Sequence, residues 1–297
     1  MSEGTTSDGS GSVKGYAQVA AELRAQMTDG TYRTGMALPT QRELAEKFGV
    51  SRDTIQRALR ELSSEGWIAS RRGSGIKVIK EQRIHSTATG TRPDRMITLD
   101  PLIDRAFERQ QVNLDVFTLT SESLENRIRN QRDRIREHAV VAPESIAVRM
   151  LLPSESLDLP YWKTRDGADN GPLRERYLAL SRFYATKLRS VLRSLEAEAL
   201  VPSVTVEIRR ISLTPQFKLY LLNGAEAVFG PYLVYRRPIE LEDGRRVEDV
   251  LDVEGVRAGL IHHVKDSDDP YGPGAVFVDS MQAWFDSVWN DDELSSE

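Results

Sequence analysis

Residues 38–79 read LPTQRELAEKFGVSRDTIQRALRELSSEGWIASRRGSGIKVI. Thr40 followed three residues later by Glu43 is a capping box, so a helix is expected from Gln41 through Leu44 and Phe48, with Gly49 ending it. Ser51 is a suitable N-cap for a second helix, on which Ile55, Ala58, Leu59 and Leu62 recur at the spacing of one buried face. The opposite face carries Asp53, Gln56, Arg57 and Arg60, with Arg52 and Thr54 in the first turn. After Gly66, the segments WIAS and IKVI read as strands, and the RRGSG between them as a positively charged turn.

Two short helices, a tight turn and a basic hairpin make a device for reading DNA, with donors on the outer face of the second helix. An entry helix precedes them from Tyr16 to Met27, with Val19, Leu23 and Met27 on one face. Residues 13–80 together resemble the winged helix-turn-helix domain of the GntR family of bacterial transcription regulators. The resemblance implies that Arg42 holds a phosphate or a guanine, and that Ser51, Arg52, Thr54, Gln56 and Arg57 lie along the DNA-facing helix. Arg52 and Thr54 would read the major groove, while Gln56 stands where relatives often have arginine. Arg71 and Arg72 would neutralise phosphates, and Gly73, Ser74 and Gly75 would approach the minor groove. Asp53 is open to two readings, acceptor from a cytosine amine or helix cap.

Charge supports a nucleic-acid face. Residues 13–80 hold twelve Lys and Arg against seven Asp and Glu, on a chain whose net charge is -5. The competing reading is a solvated helical face paired with nearby glutamates. It leaves unexplained why the turn adds Arg71 and Arg72 beside glycines.

A chain of 297 residues has room for a small and a medium domain. There is no cysteine, so disulfides, thiolate metal sites and cysteine nucleophiles are excluded. Residues 1–12 are polar and glycine-rich without the apolar run of a signal peptide, and read as a disordered tail. No stretch approaches membrane-spanning length, so a cytoplasmic protein is expected. Residues 81–95 read as a linker, residues 96–290 as a second domain and residues 291–297 as an unstructured acidic tail.

The second domain alternates helical and strand patterns. Helices are expected near Pro101 to Gln110, Ser121 to Glu137, Leu173 to Leu200 and Ala275 to Trp289. Strands are expected in VNLDVFTL, SIAVRMLL, SVTVEIRRI, FKLYLLN and AVFGPYLVY. The fold class is thus an α-rich winged helix-turn-helix domain followed by an α/β domain with a mixed or largely parallel sheet. In such sheets a ligand tends to bind at the carboxyl ends of the strands. The glycine clusters DGADNG and YGPG do not match a nucleotide-binding loop and are expected to be loops. The arginines from Arg127 to Arg136 are expected to form a solvated face paired within their own helix.

QFKLYLLNGAEAVFG resembles a worn copy of the HxKxxxxD element of phospholipase D-type phosphodiesterases. Lys218 is kept, but Gln216 and Asn223 stand where that chemistry requires histidine and aspartate, which removes the nucleophile. The resemblance implies a catalytically inactive half in which Gln216, Lys218 and Asn223 bind an anionic ligand. The alternative is that Lys218 lies on an edge strand and snorkels to solvent. Tyr220, Tyr232 and Tyr235 are candidates for the same face. HHVKDSDD near residue 262 is expected to be a solvated loop, and neither a metal site nor a cofactor is expected.

Three functions follow as alternatives. One is a dimeric repressor on a near-palindromic double-stranded operator, modulated by a small and anionic effector. The second is a DNA-bound dimerisation or recruitment scaffold, and the third a DNA-tethered phosphodiesterase.

Overall fold

The computed structural model describes residues 15–28, 31–64, 67–71, 75–79, 84–86, 99–166, 170–254 and 259–296. Helix α1 (Tyr16–Thr28), α2 (Gln41–Phe48) and α3 (Arg52–Ser64) come first, followed by the antiparallel strands β1 (Ile68–Arg71) and β2 (Gly75–Val78). The capping box forms as expected: Thr40 accepts from the Glu43 amide, and the Glu43 carboxylate accepts from the Thr40 amide at 2.7 Å. Gly49 adopts φ 66°, a left-handed conformation that glycine takes without a Cβ penalty. Val19, Leu23 and Met27 of α1, Leu44 of α2, and Ile55, Ala58 and Leu62 of α3 are fully buried in one core, closed by Trp67. The backbone at Met36 and Leu38 bonds to β2 at 2.9 and 2.8 Å, which anchors the hairpin to the helices.

In the second domain, α4 (Leu99–Phe107), β4 (Gln111–Phe117), α5 (Glu122–Arg136), β5 (Ser145–Pro153), α6 (Gly171–Ala197) and β6 (Ser203–Ile211) build a parallel β4–β5–β6 unit. Strands β7 (Phe217–Leu222) and β8 (Glu226–Pro231) extend it antiparallel beside β4. The sheet is therefore mixed. Alternation along the strands sends Val112, Leu114 and Val116 of β4 to the face covered by α4, α5 and α6. The other face, with Phe117, Leu151 and Leu221, meets α7 (Pro273–Trp289) through Val278, Phe285 and Trp289.

Several expectations change. AVFGPYLVY is two strands: β8 ends at Pro231, which has no N–H to donate, and β9 (Leu233–Glu240) leaves to pair with β10 (Arg246–Glu254) as a separate hairpin. HHVKDSDD begins inside β11 (Leu260–Val264); His262 is buried and bonds Glu226 at 2.6 Å, and the His263 ring stacks on Phe277. The expected linker contains β3 (Ile84–Ser86), which adds in parallel to β11. The expected acidic tail contains β12 (Ser295–Ser296), paired with β6. The glycine clusters open helices, since Asn170 and Gly272 are the N-caps of α6 and α7. The arginines of α5 pair within their helix only in part: Arg129 reaches Glu125 at 3.7 Å and Arg132 reaches Asp133 at 2.7 Å, but Arg134 reaches Asp104 at 2.7 Å, Arg136 reaches Glu198 at 2.6 Å, and Arg127 is buried.

Candidate nucleic-acid interface and the cleft behind it

Ser51 caps α3, its Oγ accepting from the Thr54 amide at 3.1 Å. Capping therefore falls to Ser51, and Asp53 stands exposed in the first turn, where the helix dipole favours a carboxylate. Arg52 and Gln56 are exposed beside it and Thr54 is half-buried. Arg42 lies exposed on α2, 4.0 Å from Glu46. Gly75 opens β2 at φ 73°, and Arg71 closes β1. Arg72, Gly73 and Ser74 lie outside the described residues.

Arg57 is placed differently from its neighbours. Its guanidinium turns to the second domain, bonding the Glu240 carboxylate at 2.9 Å and the carbonyls of Leu241 and Glu242, while it covers the Tyr16 ring at 4.4 Å. Arg60 reaches the same carboxylate at 3.1 Å. One turn on, Glu61 is buried and pairs with Arg176 of α6 and, at 3.4 Å, with Arg237 of β9. Arg24 of α1 pairs with Glu122 of α5 at 3.1 Å. The C-terminal half of α3 and Arg24 of α1 are thus docked onto the second domain by ion pairs, while the N-terminal end of α3 stays exposed. None of these pairs is legible locally, because the partners lie 98 to 185 residues apart.

Behind the docked face is a cleft of about 150 Å³. It lies at the carboxyl end of β4, where Thr118, Leu119 and Thr120 lead into α5, as expected for a sheet of this kind. Arg24 and Ala25 of α1 form one wall and Lys218, Tyr232 and Arg237 another. Trp162 and Tyr177, stacked at 4.0 Å between ring centroids, complete the lining.

Of the three residues in the worn phosphodiesterase-like element, only Lys218 lines this cleft. It is 8 % exposed on β7, which lies between β4 and β8, so the expectation of an edge strand with a snorkelling lysine is corrected. Burial pushes its ammonium down to about 8, with Glu122 opposing the shift and Arg127 adding to it. Gln216 is exposed just before β7. Asn223 follows the other end of the strand at φ 53°, where its side chain accepts from the Asn113 amide at 2.8 Å and donates to the Ala106 carbonyl at 3.0 Å. It holds a turn together, and the three residues do not converge. Tyr232 and Tyr235 line the cleft, whereas Tyr220 belongs to the core. Among the described residues no group of three His, Asp or Glu is arranged to hold a metal ion, and no helix is long and apolar enough to cross a membrane.

Three helices, an antiparallel wing and an outward recognition helix define residues 15–78 as a winged helix-turn-helix DNA-binding domain. The same residues match the family model described as bacterial regulatory proteins, gntR family. The Exu regulon transcriptional regulator of Escherichia coli (strain K12) is 38% identical over 73 residues, 25% of this chain and 28% of that protein. The mannosyl-D-glycerate transport/metabolism system repressor MngR of the same organism is 43% identical over 70 residues, 24% of this chain and 29% of that protein. A solved structure of AraR(DBD) in complex with operator ORR3 is 40% identical, covers 21% of this chain and 76% of that one, and superposes with a TM-score of 0.21. The chain spans less than a third of the length of these curated relatives, and the likeness lies in the DNA-binding domain.

Proposed function

We propose that the chain is a sequence-specific transcriptional regulator, a cytoplasmic homodimeric repressor whose operator binding is modulated by a ligand held at the second domain. The observation that carries this reading is the exposed N-terminal end of α3, with Arg52, Asp53 and Gln56 outward, while Arg57 and Arg60 farther along the helix are held by Glu240. Arg52, Thr54 and Gln56 read base edges in the major groove; Arg42, Arg71 and Arg72 neutralise phosphates, and Gly73, Ser74 and Gly75 let the wing approach the minor groove. A single winged domain makes too few base contacts for a unique genomic address, which supports a dimer on a two-part operator. The proteins similar to this DNA-binding domain are transcriptional regulators. The separation of Gln216, Lys218 and Asn223 speaks against a phosphodiesterase.

The test is selection of an operator from genomic fragments, followed by titration of wild-type and Arg52→Ala proteins on that operator and on single-base variants. Loss of one bidentate base contact should cost about 1–3 kcal/mol and relax discrimination at one position. Unchanged discrimination would refute the assignment of Arg52.

A further inference from the structure

Each arginine lining the interdomain cleft has a carboxylate partner: Glu122 for Arg24, Glu61 for Arg176, and Asp252 for Arg237 at 2.5 Å. Lys218 differs. Among the described residues its ammonium makes no ion pair and no hydrogen bond, and it lies over the Tyr232 ring with the nitrogen 5.7 Å from the centroid. Glu122 acts on it only at a distance and is itself bridged to Arg24; an ammonium removed from water without a counter-charge in contact is costly, and such groups are normally completed by an anion or neutralised. The cleft beside it has room for one compact group, since an engineered apolar cavity of about 150 Å³ holds a single benzene. Its walls include the rings of Trp162, Tyr177, Tyr232 and Tyr235. Thr120, Glu122 and Ser123, at the first turn of α5, lie on the same cleft. Helix N–H groups there have no intrahelical partner and favour negative charge.

We infer that this cleft is an oxyanion-binding site shared by the two domains, taking a carboxylate or phosphate carried on a body no larger than one ring, with Lys218 as its charge anchor. The inference deepens the ligand-modulated reading above and rests on it. Ala25 and Arg24 bring the DNA-binding domain into the wall, so an occupant touches both halves of the molecule. The Arg24–Glu122 bridge spans the same opening at 3.1 Å, and an incoming anion competes with Glu122 for nearby positive charge. Occupancy therefore alters one of the ion pairs that hold the DNA-binding domain in place, the differential interaction a modulator needs.

The experiment is a titration of the full-length protein with benzoate, phenyl phosphate and phenol, read by tryptophan fluorescence, because Trp67 and Trp162 both line the cleft. Saturation by benzoate or phenyl phosphate at least tenfold tighter than by phenol is expected, and the better of the two identifies the anion as carboxylate or phosphate. Lys218→Met should weaken the anion tenfold or more and leave phenol unchanged. Ala25→Phe, which fills the cleft from the DNA-binding domain, should abolish binding of all three while Lys218 remains. Circular dichroism of both variants checks that they fold. Phenol binding as tightly as the anions, unchanged affinity in either folded variant, or no saturation by any probe would overturn the site. Operator binding is measured separately. Saturable anion binding with unchanged operator affinity would keep the site and overturn the regulatory reading, whereas specific operator binding without anion binding would overturn the site and keep the assignment of DNA recognition.

Discussion

Replacing Lys218 by methionine should stabilise the protein at neutral pH. The substitution keeps an unbranched side chain of similar reach and removes a charge that is 8 % exposed and has no carboxylate partner. Burial lowers the lysine from its ordinary 10.5 to about 8. At about 1.4 kcal/mol per pKa unit, the cost of keeping the ammonium in the cleft is on the order of 3 kcal/mol. The sign follows from proton linkage: between pH 8 and 10.5 the unfolded chain holds a proton at this position that the folded chain has released, so stability rises with pH there. Below about pH 8 the full penalty applies, and above the unfolded value it is gone. Urea denaturation of both proteins at pH 7 and near pH 10 would measure it, with the difference between them cancelling titrations common to both. The variant should be more stable by about 2–3 kcal/mol at pH 7, with most of the gain lost at the higher pH. A variant less stable than wild type at pH 7, or a difference independent of pH, would refute the description of Lys218 as a buried cation without a partner.

Glu61→Gln should cost about 3–5 kcal/mol, because it leaves Arg176 and Arg237 buried with one charge too few, and should separate the urea unfolding of the two domains; a loss under about 1 kcal/mol would show that the pair does not hold the seam. Glu240→Ala frees Arg60 and leaves Arg57 held by the Leu241 and Glu242 carbonyls alone, and the slope of log K against log salt for duplex DNA should steepen by about 0.9 for each arginine that then reaches a phosphate. An unchanged slope would mean that neither side chain can turn to DNA. Thr40→Ala removes the capping hydroxyl of α2 and should lower the stability of the DNA-binding domain by about 1 kcal/mol in thermal unfolding, an effect absent if the cap is dispensable.

Elements held together by contacts within a few residues were readable before folding. Thr40 with Glu43, Gly49, and the Ile55–Ala58–Leu62 face each state their role within one or two turns. The β9–β10 hairpin was not: RRVEDVLDVE carries so many charges that its alternation is obscured, and the partner of Asp252 at Trp162 lies 90 residues away. His262 looked solvated among aspartates, yet parallel pairing with β3 and antiparallel pairing with β8 bury it. Arg57 shows the same limit at the functional site, since periodicity places it on the outer face of α3 and only the docked Glu240 explains its orientation. Lys218 was legible as an unusual residue in an apolar strand. The cleft it faces was not, because its walls are drawn from α1, α5, α6, β7, β9 and β10, far apart in the chain.

The strand β3 sets the length of a leash. Ile79, the last described residue of the wing, and Ile84, the first residue of β3, are separated by four residues. Fully extended, that span reaches about 18 Å. While β3 stays paired to β11, the end of the wing in a DNA-binding domain released from its ion pairs stays within about 18 Å of Ile84. Tethers this short hold the local concentration of the two surfaces in the millimolar range or above, so re-docking is a rapid unimolecular event. In the proposed dimer, half-site separations accessible to the pair of recognition helices are bounded accordingly. Insertion of a flexible segment between Ile79 and Ile84 would widen the set of tolerated operator spacings without touching a single base contact.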